Sequence, residues 1–190
     1  MKSLFSAILL FCGVSLMLPA QTYHFNKLTV EEGLNDGDIH AIGQDKYGYM
    51  WFGSLGGLSR FNGRSMEWFA HIPGDTTSLP GSLPQSMALD SSGRLWIGFE
   101  TGLIEYIYGT SSFRRVAAAG NTRIDQLLPT GDGTMYMATN KGLALMDVAS
   151  GTVRFYRYEA KDPVQKEWFS SRVFSMAMHG KRLYLSARKG

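Results

Sequence analysis

The chain has 190 residues, 44% of them hydrophobic and 18% charged, with a formal net charge of +3. Such a chain can bury a core, which excludes a disordered polymer, and its 22 glycines with 13% aromatics favour strands and turns over helices. The sequence pI is near 9, but the only basic clusters are "FRR" at 113–115 and "RKG" at 188–190, too little for a nucleic-acid-binding surface.

Residues 1–20 read as a secretory signal peptide. Lys2 supplies the charged start, "LFSAILLFCGVSLML" the apolar run, and Pro19-Ala20 the small residue before a cut at Gln21. Cys12, the only cysteine, follows Phe11 and precedes more apolar residues, which argues against a lipoprotein signal. Removal of this segment leaves 18 basic and 16 acidic residues and no cysteine, so the exported part is held by packing without disulfides.

Residues 21–37 contain one expected strand, Tyr23 to Val30, a leading strand suited to closing a ring. Blade 1 follows at 38–81. "DIHAIGQD" is a short run ended by Asp45 and Gly48, then come "YMWFGS", "LSRFN" and "RSMEWFAH", with the hairpin signal Asn62-Gly63 between the last two. Gly48 and Gly63 suit tight turns, and Gly53 suits close approach of neighbouring backbones. Blade 2 is expected at 82–122, blade 3 at 123–170 and a partial blade 4 at 171–190.

These units write one phrase several times. "DKYGYMWFGSLGGL" and "DSSGRLWIGFETGL" align Asp45 with Asp90, Gly48 with Gly93, Trp51 with Trp96, Gly53 with Gly98 and Gly57 with Gly102. "TGDGTMYMATNKGL" keeps Gly133 and Gly142 and places Tyr136 where the Trp stood; "HGKRLYLSARKG" carries Gly180, Tyr184 and Gly190. The ring residue precedes the last glycine by six positions in every copy, and the rings recur at steps of 45, 40 and 48 residues. Periods of that size belong to propellers or solenoids, and four short strands per unit select a propeller. Trp51 and Trp96 are then expected between blades.

The stretch from Phe25 to Gly63, followed by "HIPGDTTSLP" and a second D-x-x-G-x-L-W-I-G, resembles the two-component regulator propeller repeats. The likeness covers about 25–190 and is sharpest in the first two copies. It implies an all-β propeller, about three and a half blades of a ring of about seven. It also implies the extracytoplasmic sensor region of a bacterial hybrid histidine kinase or related regulator, periplasmic, without catalysis in this segment. A membrane region and kinase or DNA-binding output would lie downstream, and the full-length protein would be expected to form a homodimer. Family tendency points to a carbohydrate-derived ligand.

Catalytic and metal signals are sparse. His24, His40, His71 and His179 lack ligand spacing, "GDGT" at 131–134 lacks a following Lys-Ser/Thr, and Asp36-Gly37-Asp38 lacks the rest of a calcium loop. No cofactor is expected. The loops between second and third strands, together with the linkers, define one rim. It would display Ser54, Glu100, Asn140, Lys141, Arg188 and Lys189, with Trp168 from a linker, and polar groups beside an aromatic suit a sugar-like or other small-molecule ligand. A propeller lyase or glycosidase, which would need convergent acids, and a protein-interaction scaffold remain as alternatives.

Overall fold

The computed structural model describes residues 25, 27–81, 83–156 and 172–187. The signal peptide, its cleavage point, Trp168, Arg188, Lys189 and Gly190 lie outside the described residues, as do Tyr23 and His24 of the expected leading strand. Within that leading segment, Phe25 and Lys27–Thr29 are irregular and a turn begins at Val30.

Among the described residues fourteen strands make three four-stranded antiparallel sheets and one two-stranded sheet. The first holds β1 (Ala41–Gln44), β2 (Met50–Ser54), β3 (Gly57–Phe61) and β4 (Met66–Phe69); the second β5 (Pro84–Leu89), β6 (Leu95–Phe99), β7 (Gly102–Ile107) and β8 (Ser112–Arg115). The third holds β9 (Ile124–Pro129), β10 (Thr134–Thr139), β11 (Gly142–Asp147) and β12 (Val153–Phe155), and the last β13 (Val173–His179) and β14 (Arg182–Ala187). Each sheet is ordered as its strands follow in sequence, and the first strands pack against one another, β1 on β5, β5 on β9 and β9 on β13. Sheets arranged side by side about their first strands are propeller blades.

The repeated ring sits between blades. Trp51 is fully buried and packs in one cluster with Leu95, Ile97, Phe99 and Tyr106 of the second sheet, its ring edge-on to Tyr106 at 4.7 Å. Trp96 is 2% exposed and does the same with Ile124, Leu127 and Met135 of the third. Tyr136 is half-buried beside Val173 and Met176 of the fourth, and Tyr184 is 53% exposed. Each of the two buried tryptophan rings removes roughly 150–250 Å² of apolar surface from water.

The aspartate that heads the phrase turns out to hold the ring. Asp45 Oδ2 accepts from the Trp51 indole N–H at 3.0 Å, and its Oδ1 accepts from the backbone N–H of Tyr47 and Tyr49. Asp90 repeats this with Trp96 at 2.9 Å and the N–H groups of Ser92 and Arg94. One carboxylate therefore closes the hairpin turn and satisfies the only polar atom of a buried indole. In the third copy Thr130 stands at that place and bonds the Thr134 carbonyl instead.

Two glycines of the phrase have separate reasons. Gly57 has φ +115°, and a Cβ there would lie 2.3 Å from the Phe69 carbonyl oxygen of β4. Gly53 makes room for side chains of the next sheet, not for backbone as the sequence suggested: a Cβ would meet Pro84 Cβ at 2.8 Å and Met87 Cε at 3.0 Å.

Candidate functional site

The turns joining second to third strands and the starts of the first strands share one end of the sheets. In the second and third sheets these turns are Glu100-Thr101 and Asn140-Lys141, each closed by a paired residue on either side: Phe99 with Gly102, Thr139 with Gly142. The first sheet pairs Ser54 with Gly57, so its turn is Leu55-Gly56. Ser54 is thus a strand residue and not part of the display. It is fully buried and donates to Asn35 Oδ1 at 3.0 Å, and Ser59 donates to the same oxygen at 2.9 Å. The sequence placed it one residue too far along.

Glu100 does reach this end, where it ion-pairs with Arg123 at the start of the third sheet. Arg123 also donates through Nε to Asp125 Oδ1 at 2.7 Å and through Nη2 to Gln85 Oε1 at 2.6 Å. Asp125 in turn takes a bidentate pair from Arg172, Nε to Oδ2 at 2.9 Å and Nη2 to Oδ1 at 2.7 Å. A chain of charges, Glu100–Arg123–Asp125–Arg172, therefore crosses from the second sheet to the fourth. Paired fork-and-carboxylate geometry makes these contacts both strong and directional.

Burial opposes the charge on Asp125, whose side chain is 9% exposed, but hydrogen bonds from Arg172 and Arg123 outweigh it and hold the carboxyl below the ordinary range. Arg172 is raised by its hydrogen bonds to Asp125.

The other expected rim residues serve the same junction. Asn140 Oδ1 accepts from the Arg123 backbone N–H at 3.1 Å. Lys141 Nζ donates to Thr122 Oγ1 at 3.1 Å, and its ammonium lies 5.9 Å from the Phe155 ring. Glu100, Asn140 and Lys141 thus gather at one end, but each is tied to the start of the third sheet. Gln85, Arg123, Asp125 and Arg172 had no place in the sequence reading. Their only signal was a shared position at the start of each first strand. Among the described residues no group of three or more His, Cys, Asp or Glu side chains is arranged to hold a metal ion, and no helix is long and apolar enough to cross a membrane.

Comparison with known proteins bears on this arrangement. Residues 33–56 match the family model for the two component regulator propeller. Histidine kinase P4 of Formosa agariphila is 36% identical over 76 residues, which cover 40% of this chain and 6% of the kinase. The extracellular domain assigned to a hybrid two component system of B. thetaiotaomicron superimposes with a TM-score of 0.69 at 21% identity, over 85% of this chain and 24% of that one. The extracellular domain assigned to a one component system of the same organism gives 0.65 at 18% identity, over 82% and 21%. Virginiamycin B lyase from Staphylococcus aureus gives 0.56 at 14% identity, over 82% and 50%. The solved structures share the propeller fold with this chain, which spans only a small part of the kinase and of the two extracellular domains.

Proposed function

We propose that this chain is a ligand-binding sensor propeller of a bacterial two-component signalling protein, placed on the periplasmic side and responsive to a carbohydrate-derived ligand. The observation that carries the reading is the charge chain Glu100–Arg123–Asp125–Arg172, which ties three consecutive blades together at one end. A ligand that competes for any of these partly exposed groups favours one arrangement of the blades over another. Differential affinity of that kind is all a signalling equilibrium needs. The match to the two component regulator propeller and the likeness to a histidine kinase give the signalling context.

The lyase and glycosidase alternative has less support. Glycoside hydrolysis needs two carboxylates set apart for acid and base or nucleophile work, whereas Glu100 and Asp125 are both held by arginines. In the full-length protein, a transcriptional reporter combined with calorimetric titration of oligosaccharides tests the proposal. Glu100→Gln is expected to alter the ligand response while the domain stays folded. Turnover of a bound sugar, abolished by Glu100→Gln, would transfer the case to the enzyme.

A further inference from the structure

The last strands of the three complete sheets differ at one repeated place. Trp68 pairs with Ser59 in the first sheet, Arg115 with Ile104 in the second and Phe155 with Ala144 in the third. Each partner lies opposite the residue that follows the repeated ring, Phe52, Ile97 or Met137. Two large rings and one cation therefore occupy equivalent positions.

The residues beneath them change as well. In the first sheet Ser59 donates to Asn35 Oδ1, and its hydroxyl oxygen accepts from the Asn35 backbone N–H at 3.2 Å, so polar groups fill the place. In the second sheet Pro80 stands at the same distance ahead of the ring as Asn35 does, and Ile104 replaces Ser59. A cleft of about 190 Å³ opens there. Pro80, Leu103 and Ile104, all buried, contribute its apolar lining, and Arg115, Val116 and Gly120 complete it.

Arg115 is exposed, and among the described residues its side chain makes no hydrogen bond, ion pair or ring contact. Its neighbour Arg114 is by contrast paired with Glu105. An apolar cleft beside one uncommitted guanidinium selects a molecule that is apolar in its body and anionic at one end. The body displaces water from Leu103 and Ile104, and a carboxylate accepts two parallel bonds from the guanidinium fork. A sugar lacks the apolar body, and a bare inorganic anion lacks it too. The volume falls below the roughly 300–1,000 Å³ of pockets for drug-sized ligands, which limits the body to a short chain.

We infer that the cleft beside Arg115 is a binding site for a short-chain monocarboxylate, its hydrocarbon on Leu103 and Ile104 and its carboxylate on the Arg115 guanidinium. The walls come from the segments that join the second sheet to its two neighbours, Pro80 from one and Val116 with Gly120 from the other. The occupant therefore touches both connections of one blade. None of Glu100, Arg123, Asp125 and Arg172 lines the cleft, and the site goes beyond the sensor reading without resting on it.

The test is a nuclear magnetic resonance titration of the full chain with hexanoate, acetate and hexanamide, following the amides of 101–104 and 115–120. Hexanoate is expected to shift these amides with a Kd on the order of 1 mM, and acetate and hexanamide to bind about tenfold more weakly or worse. Arg115→Gln is expected to bring hexanoate down to the level of hexanamide. Arg115→Trp, which returns the ring present at Trp68, is expected to abolish the binding of both. Because Arg115 is exposed, both variants keep the fold, which an unchanged circular dichroism spectrum verifies. Absence of hexanoate binding, acetate binding as tightly as hexanoate, or full hexanoate affinity in either variant overturns the site.

Discussion

Asp90 shows how much one side chain can carry. Its two oxygens accept from the Ser92 N–H and hydroxyl, from the Arg94 N–H and Nε, and from the Trp96 indole. Burial opposes its charge, but the bonds from Trp96, Ser92 and Arg94 outweigh that and hold the carboxyl at about 2. A carboxyl depressed from the ordinary value near 4 adds about 2 kcal/mol of stability. That contribution is complete above the unfolded value and disappears as the pH falls through about 2. Thermal melts of the chain between pH 5 and 2 are therefore expected to show a steep loss of stability that is much reduced in Asp90→Asn. At pH 7, Asp90→Ala is expected to cost about 3 kcal/mol in urea denaturation, because it strands a buried indole N–H and two turn amides. The register of Asp45 and Asp90 with the tryptophans was plain in the sequence, but its meaning was not. In one continuous strand six residues would hold carboxylate and indole about 20 Å apart, and only the tight hairpin between them brings the two together.

At the level of the strand and the sheet, the rings and glycines of the phrase separate into distinct roles. Trp96→Ala is expected to destabilise by about 3–5 kcal/mol, as for other buried aromatics, and Tyr136→Ala by less than half of that, since Tyr136 is only half-buried. Chemical denaturation of the two variants checks the ranking. Gly57→Ala combines a left-handed backbone with a clash against a neighbouring strand's carbonyl, whereas Gly53→Ala crowds only side chains of the next sheet. Gly57→Ala is therefore expected to impair folding outright, and Gly53→Ala to lower the melting temperature while leaving the chain folded. Strand alternation and turn residues were enough to read the sheets from the sequence. The bulges in β5, β9 and β13, where the ladder passes over Gln85, Asp125 and Phe174, were not legible, because a bulge changes the count of residues across a pair and leaves no mark on composition. Ser54 was misplaced for a related reason: the two-residue turn Leu55-Gly56 could be located only once Ser54 was seen paired with Gly57.

Across the whole molecule, protection from hydrogen exchange is expected to be graded. Strands β6 and β10 lie inside four-stranded sheets, flanked on both sides, and their amides should exchange only through large openings. Among the described residues β14 pairs with β13 alone and exposes Tyr184, so its amides are expected to exchange by local opening and measurably faster. Equal protection in β6 and β14 would contradict this gradient. The repeat register made the propeller readable from sequence because the period survives even where individual residues change. The charge chain was not readable, since Glu100, the pair Arg123 and Asp125, and Arg172 belong to three different repeats and meet only when the blades are set side by side.

The placement of the two buried tryptophans gives the molecule a pair of built-in optical probes. Trp51 lies at the boundary of the first and second sheets, and Trp96 at that of the second and third. Each indole is shielded from water by a different joint, so its emission shifts to the red only when that particular joint parts. A chain whose stability is a sum of blade and neighbour contributions can unzip from one end. In single-tryptophan variants the two emission shifts would then occur at different denaturant concentrations, whereas coincident shifts would mean that all the joints yield together as one cooperative body.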